Sequence, residues 1–275
     1  MGLAGKRVLV LEARLPDVLA GLVGREGGEA VCVPAVVEVE APPDEVAAPL
    51  RALCGGEVDL VVLLTGVGTA RLHRQAVALN LGEAYLDALR RLPVAVRGPK
   101  PTAVLHRWGI RPTIAAPSPH TTAELCQALS NIELSGRTVF LQHYGQLGDP
   151  VGDFLRSRGA TTVDALPYRW ALPENLDPLR GAITGLVGGE FDALLITSQP
   201  QILHLFAAAD SFGVAGALRG ALNSRVTVAV VGPVARRAVM KQGVRVVVEP
   251  SQPKMTPLVH ALAAHFDQAS TSSTR

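Results

Sequence analysis

The amino-acid sequence predicts an α/β fold made of two similar lobes, each a doubly wound parallel sheet. Three observations predict it. Six blocks of sequence recur in the same order at a nearly constant offset, so the chain carries an internal duplication. Short Val- and Leu-rich runs, among them Val8–Leu11, Val58–Leu64 and Val226–Val231, read as strands buried on both faces. These runs alternate with helical stretches, as expected of parallel strands joined by crossover helices.

The repeat opens with Gly5-Lys-Arg-Val-Leu-Val-Leu matched to Gly136-Arg-Thr-Val-Phe-Leu-Gln. A helical stretch and a glycine follow in each copy, at Leu19–Gly27 and Val151–Gly159, and then a short strand ending at Pro34 or Pro167. Val58–Thr65 pairs with Phe191–Thr197, each behind a Gly-Glu. Val94-Ala-Val-Arg-Gly98-Pro99 pairs with Val228-Ala-Val-Val-Gly232-Pro233, and Gly109-Ile-Arg with Gly243-Val-Arg. The last block pairs Pro117–Leu125 with Pro250–Leu258. Two proline-marked segments, Pro34–Pro43 and Pro167–Pro173, favour extended backbone and read as paired connectors between the lobes.

The composition limits the function classes. A formal net charge of +2 is too small to argue for nucleic-acid binding. The apolar runs are too short to span a bilayer, and no signal-like segment opens the chain. Cys32, Cys54 and Cys126 are widely spaced and read as reduced thiols of a cytoplasmic protein. The seven histidines lack metal-ligand spacing, and Gly66-Val-Gly-Thr-Ala-Arg lacks a full dinucleotide fingerprint. A Ser/Thr-rich tail, 267–275, is expected to be disordered.

Candidate site residues cluster where strands meet helices, the edge at which such sheets bind ligands. Thr65-Gly66 and Thr197-Ser198 place a hydroxyl and outward backbone N–H groups at a helix start. Gly98-Pro99-Lys100 and Gly232-Pro233 are strand-to-helix turns whose helix N-termini suit an anion. Either pair also serves as an ordinary cap or turn. Tyr168, beside Arg169 and Trp170 in the second connector, offers a phenol that can donate a proton or simply pack the hinge.

From Lys6 to Phe266 these blocks resemble the uroporphyrinogen-III synthase family. The pieces that carry the resemblance are Thr65-Gly-Val-Gly, Gly98-Pro-Lys, Gly136-Arg-Thr-Val, Leu166-Pro-Tyr-Arg, Asp192–Ser198, Val228–Pro233 and Glu249–Thr256. The resemblance implies two flavodoxin-like lobes with two chain crossings. Residues 1–36 plus 172–266 would form one lobe and 37–171 the other, whereas the repeat alone also allows a tandem cut near Ser135. It implies a monomeric, cofactor-free enzyme that closes linear hydroxymethylbilane into uroporphyrinogen III with inversion of ring D. It also implies hand-over of substrate from hydroxymethylbilane deaminase. Tyr168 matches the tyrosine proposed to assist hydroxyl departure, and Thr65, Thr102 and Ser198 match hydroxyls lining the cleft. Lys100 and Arg169 fall in the matching segments. The chain departs from the family pattern at Glu12, Gln142 and Ala235, where anion contacts are expected to be lost.

Overall fold

The computed structural model describes residues 2–272 of the chain. In chain order it begins with β1 (Arg7–Val10), α1 (Pro16–Arg25), β2 (Glu29–Cys32) and β3 (Val37–Glu40). A 3₁₀ turn at Pro43–Val46 leads to α2 (Ala47–Gly55), β4 (Leu60–Leu63), α3 (Gly66–Ala78), α4 (Gly82–Arg91) and β5 (Val94–Val96). Next come α5 (Pro99–Arg107), β6 (Ile114–Ala115), α6 (Thr122–Leu129), β7 (Thr138–Gln142), α7 (Pro150–Ser157), β8 (Thr161–Ala165) and β9 (Tyr168–Ala171). The chain continues with α8 (Asp177–Gly188), β10 (Ala193–Ile196), α9 (Gln199–Ser211), α10 (Ala215–Ser224), β11 (Thr227–Val230), α11 (Pro233–Lys241) and α12 (Met255–Ser272).

The chain divides into two units, one formed by Met1–Val37 with Ala171–Arg275 and the other by Glu38–Trp170. The sheet of the first unit runs β11-β10-β1-β2 and that of the second β6-β5-β4-β7-β8; every pairing inside them is parallel. Counting each βαβ start as strand 1, the first unit has the flavodoxin-like order 2-1-3-4, extended by an isolated parallel bridge between Ala229 and Val248. The second unit reaches the same spatial order by permutation, because its strand-1 and strand-2 equivalents, β7 and β8, come last in the chain. The two-stranded β3–β9 sheet is built from the extended segments read as connectors.

Strand periodicity explains the cores. In the second unit Val61, Leu63, Val94, Val96 and Phe140 face one helical layer, and Leu60, Val62, Leu64, Ala95, Val139 and Leu141 face the other. The first unit is alike, with Leu9, Leu194, Ile196 and Val228 on one face and Val8, Val10, Ala193 and Leu195 on the other. Because both faces are covered, the strands read as unbroken apolar runs.

Two expectations need correction. Residues 267–272, read as disordered for their polar composition, continue α12, whose apolar face (Leu258, Val259, Leu262) packs on the first unit's sheet; residues 273–275 lie outside the described residues. Each copy also carries a helix absent from the sequence reading, α4 and α10. Tyr85, Ala88 and Leu89 anchor α4, and Leu218, Ala221 and Leu222 anchor α10.

Candidate functional site

In a doubly wound sheet the ligand crevice lies outside the carboxyl ends of the strands, where the winding direction reverses. In the second unit that point falls between β4 and β7, and in the first between β1 and β10. Both points are occupied by a glutamine network.

Gln142 ends β7 and is fully buried. Its Oε1 accepts the N–H groups of Leu64 and Thr65, both at 3.1 Å, and its Nε2 donates to Thr65 Oγ1 at 3.3 Å and to the carbonyl of His143. Thr65 caps α3, its Oγ1 accepting the Gly68 N–H at 3.1 Å. In the first unit Gln201, in the first turn of α9, does the same work: its Oε1 accepts the N–H groups of Thr197 at 2.7 Å and Ser198 at 3.2 Å. Its Nε2 donates to Thr197 Oγ1 at 2.9 Å and to Glu12 Oε2 at 3.2 Å. Glu12 Oε2 also accepts from the Thr197 hydroxyl, and Oε1 from the Arg14 N–H at 3.0 Å.

The strand-end N–H groups of Thr65, Thr197 and Ser198, expected to point outward at a ligand, are therefore satisfied internally. Carboxamides hold them because a buried N–H without a partner is costly. Glu12 and Gln142, read as lost anion contacts, are the centres of these networks.

The turn candidates lie beside them. A Cβ on Gly66 would sit 2.7 Å from the Lys100 carbonyl oxygen, so the first turns of α3 and α5 meet backbone to backbone. Gly98 packs on His120 and Gly232 on Pro253, while Lys100 and Pro233 are exposed. The Thr102 hydroxyl donates back to the Gly98 carbonyl at 3.0 Å. Ala235 is buried in α11.

Of the connector residues, Tyr168 is packed and Arg169 is paired. Tyr168 is 2% exposed, with the Arg71 guanidinium 4.7 Å from its ring centroid. Gln75 of α3 pins the backbone beside it, donating to the carbonyls of Ala41 at 2.7 Å and Pro167 at 3.1 Å. Arg169 is exposed and forms a two-pronged ion pair with Glu45, which holds the guanidinium charge above its usual range.

A cluster missed in the sequence lies at the same edge of the second unit. Arg97, one residue before Gly98, stacks 4.4 Å from the ring centroid of half-buried Tyr144. Tyr144 meets the Trp170 ring edge-on at 5.5 Å, and the Trp170 backbone N–H donates to the Gly145 carbonyl at 3.0 Å. Asp149, the buried cap of α7, also neighbours the Tyr144 phenol. Burial pushes that phenol up; the Arg97 charge opposes the shift and Asp149 adds to it. One residue earlier, buried His143 Nε2 lies 2.6 Å from Asp164 Oδ1, a hydrogen bond that holds the Asp164 carboxyl down. In the sequence its members stood apart: Arg97 as a charge beside the Gly98 turn, Tyr144 in the run Gln142-His-Tyr-Gly145 that departs from the family pattern, and Trp170 in the connector. Among the described residues no group of three His, Cys, Asp or Glu could hold a metal ion, and no helix is long and apolar enough to cross a membrane.

Comparison with known proteins agrees with this architecture. Residues 17–260 match the family described as uroporphyrinogen-III synthase HemD. A Bacillus subtilis (strain 168) protein described as "Uncharacterized protein YjjA" is 28% identical over 97% of this chain and 98% of its own length. A crystal structure of a mutant uroporphyrinogen III synthase from the extremely thermophilic bacterium Thermus thermophilus superposes with a TM-score of 0.74 at 27% identity, covering 97% of this chain and 99% of that one. The Helicobacter pylori 26695 uroporphyrinogen-III synthetase, 11% identical over 94% of this chain and 99% of its own, shares the fold with a TM-score of 0.53. The chain belongs to the uroporphyrinogen-III synthase family.

Proposed function

We propose that this protein converts linear hydroxymethylbilane into uroporphyrinogen III, inverting ring D and releasing water, as a monomer in the cytoplasm that takes its substrate from hydroxymethylbilane deaminase. The observation that carries the reading is the family match over residues 17–260, together with a like fold along 97% of the chain. The site chemistry fits it. The substrate bears eight carboxylates, and the Gly98-Pro99-Lys100 and Gly232-Pro233 turns open helices whose N-terminal dipole favours anions. Exposed Lys100 adds a cation at the first of them. Departure of the hydroxymethyl oxygen leaves an electrophilic methylene, and holding the far ring against it favours the spiro route over simple closure.

The deciding experiment supplies hydroxymethylbilane from the deaminase and separates the product isomers. Type III product is expected; type I alone, as formed without a catalyst, refutes the reading. One observation favours a second reading, a non-catalytic tetrapyrrole binder. Glu12 and Gln142, at positions where the family pattern has anion contacts, are used in strand-end and helix-cap hydrogen bonds, and Ala235 is buried, so fewer groups are left to act on a bound substrate. Type I product together with saturable binding of uroporphyrinogen would favour that reading.

A further inference from the structure

We propose that the outer edge of the first unit's sheet, at Arg245–Val247 beside α11, is a docking surface for an acidic segment of a partner protein, which adds to the sheet as a further strand. Charge is the first observation. Between Ser211 and Lys254 the chain carries seven Arg and Lys against Glu249 alone, so this stretch is +6 on a chain of +2 and the remainder is −4. Arg225, Arg236, Arg237, Lys241, Arg245 and Lys254 are exposed, and Glu249 is paired with Arg236 at 3.1 Å. Such a concentration of one sign attracts an acidic partner and repels a second copy of itself.

The edge is the second observation. Val248 bridges Ala229 of β11, and the Val247 N–H donates to the Val228 carbonyl at 2.9 Å, so this segment lies outermost in the sheet. Among the described residues no strand pairs with its other side, and the Val246 N–H has no acceptor. Asn223 Oδ1 accepts the Arg245 N–H at 2.8 Å and so ties the segment to α10. The duplication supplies a comparison. Gly109-Ile-Arg-Pro-Thr113 matches Gly243-Val-Arg-Val-Val247, and the Thr113 N–H bonds to Val94 as that of Val247 bonds to Val228. Pro112 thus stands in the second unit where Val246 stands in the first. Proline has no N–H to offer a ladder and is a common guard of a sheet edge. One copy is closed to strand addition and the other is open.

An open cavity of about 600 Å³ lies along that edge, lined by Asn223, Arg236, Met240, Arg245 and Val246 among others. The chain shows the expected pairing elsewhere. In the second unit Glu38 and Glu40, alternate residues of β3, are held by Arg71 and Arg74 of α3. Residues one turn apart on a helix lie about 6 Å from one another, close to the roughly 7 Å between alternate residues of a strand. Arg237 and Lys241 of α11 stand one turn apart on its exposed face, next to Arg236 and Met240 at the cavity. The unguarded N–H and the apolar Met240 and Val246 favour a polypeptide over a nucleic acid, which would meet the charges alone.

The test uses the full chain and a fluorescent peptide of about eight residues alternating valine with glutamate, followed by polarisation. Saturable binding is expected, weakened roughly tenfold or more by Val246→Pro, which copies the guarded edge, and by Arg245→Glu, which reverses a charge there. Hydrogen exchange at residues 244–248 should slow when the peptide is bound. A peptide alternating valine with lysine should not bind, and one alternating proline with glutamate should bind at least about tenfold more weakly, because it keeps the charge and loses the ladder. If Val246→Pro fails to fold by circular dichroism, Arg245→Glu and the exchange measurement decide. Absence of saturable binding, equal affinity for the proline–glutamate peptide, unchanged exchange at 244–248, or full displacement by an equal concentration of duplex DNA overturns the assignment.

Discussion

The carboxamide of Gln142 closes the end of β4 by bonding to Thr65 twice, accepting its N–H at 3.1 Å and donating to its Oγ1 at 3.3 Å. One buried side chain thus secures a strand end, a helix cap and the switch point of a sheet.

Gln142→Leu keeps the approximate volume but strands the N–H groups of Leu64 and Thr65 in the interior. We expect a loss of about 3 kcal/mol, the scale of two uncompensated buried donors. Urea unfolding measures it, and a change below about 1 kcal/mol would show that water replaces the carboxamide.

Glu12→Ala should cost about 2 kcal/mol by leaving the Thr197 hydroxyl without its acceptor and the Gln201 amide with one of its two. Thr197→Val in the same background should cost less than it does alone, because the two share one network. Additive losses in a double-mutant cycle would contradict that coupling.

Gly66→Ala pushes a methyl against the Lys100 carbonyl, a backbone atom that cannot swing aside, and should destabilise by about 1–3 kcal/mol. Gly181→Ala, on an exposed face of α8 with open space around the new methyl, should stabilise by about 0.5–1 kcal/mol. Opposite signs in thermal unfolding are the expected result.

Asp164 has a carboxyl pKa held below the usual 3.8, chiefly by the hydrogen bond with His143. A depressed folded value means that its contribution to stability is present above the unfolded pKa and is lost as pH falls through the folded one. Asp164→Asn should therefore be less stable than wild type at about pH 6, with the difference shrinking in acid. Urea midpoints taken from about pH 6 down to about 2 would show the gap closing, and a gap constant with pH would mean that the ionised carboxylate contributes nothing.

The sheets were legible in the sequence because a strand covered on both faces leaves an unbroken run of Val and Leu. The turn glycines were legible because Gly-Pro occurs in both copies. The duplication aligned Thr65 with Thr197, whereas the helix caps align Thr65 with Ser198. Sequence offset cannot resolve one residue when loop lengths differ between copies. The glutamine networks were not legible. Gln142 arrives from a strand and Gln201 from a helix, so the two copies solve one hydrogen-bonding problem with residues that no repeat aligns. The cluster around Tyr144 was not assembled for a related reason: Arg97 and Trp170 reach it from separate segments.

The permuted strand order bears on how the chain folds as it is made. Every strand of the second unit's sheet lies between Leu60 and Ala165, so that sheet can be completed while the chain is still being synthesised. The first unit has only β1, α1 and β2 by then and must wait for β10 and β11. That wait would ordinarily carry the loop-closure entropy of a long insertion. The β3–β9 pairing brings the ends of the insertion together, so β1 and β10 meet across a short effective loop. The strands of the inserted unit are therefore all made before its host has received β10 and β11.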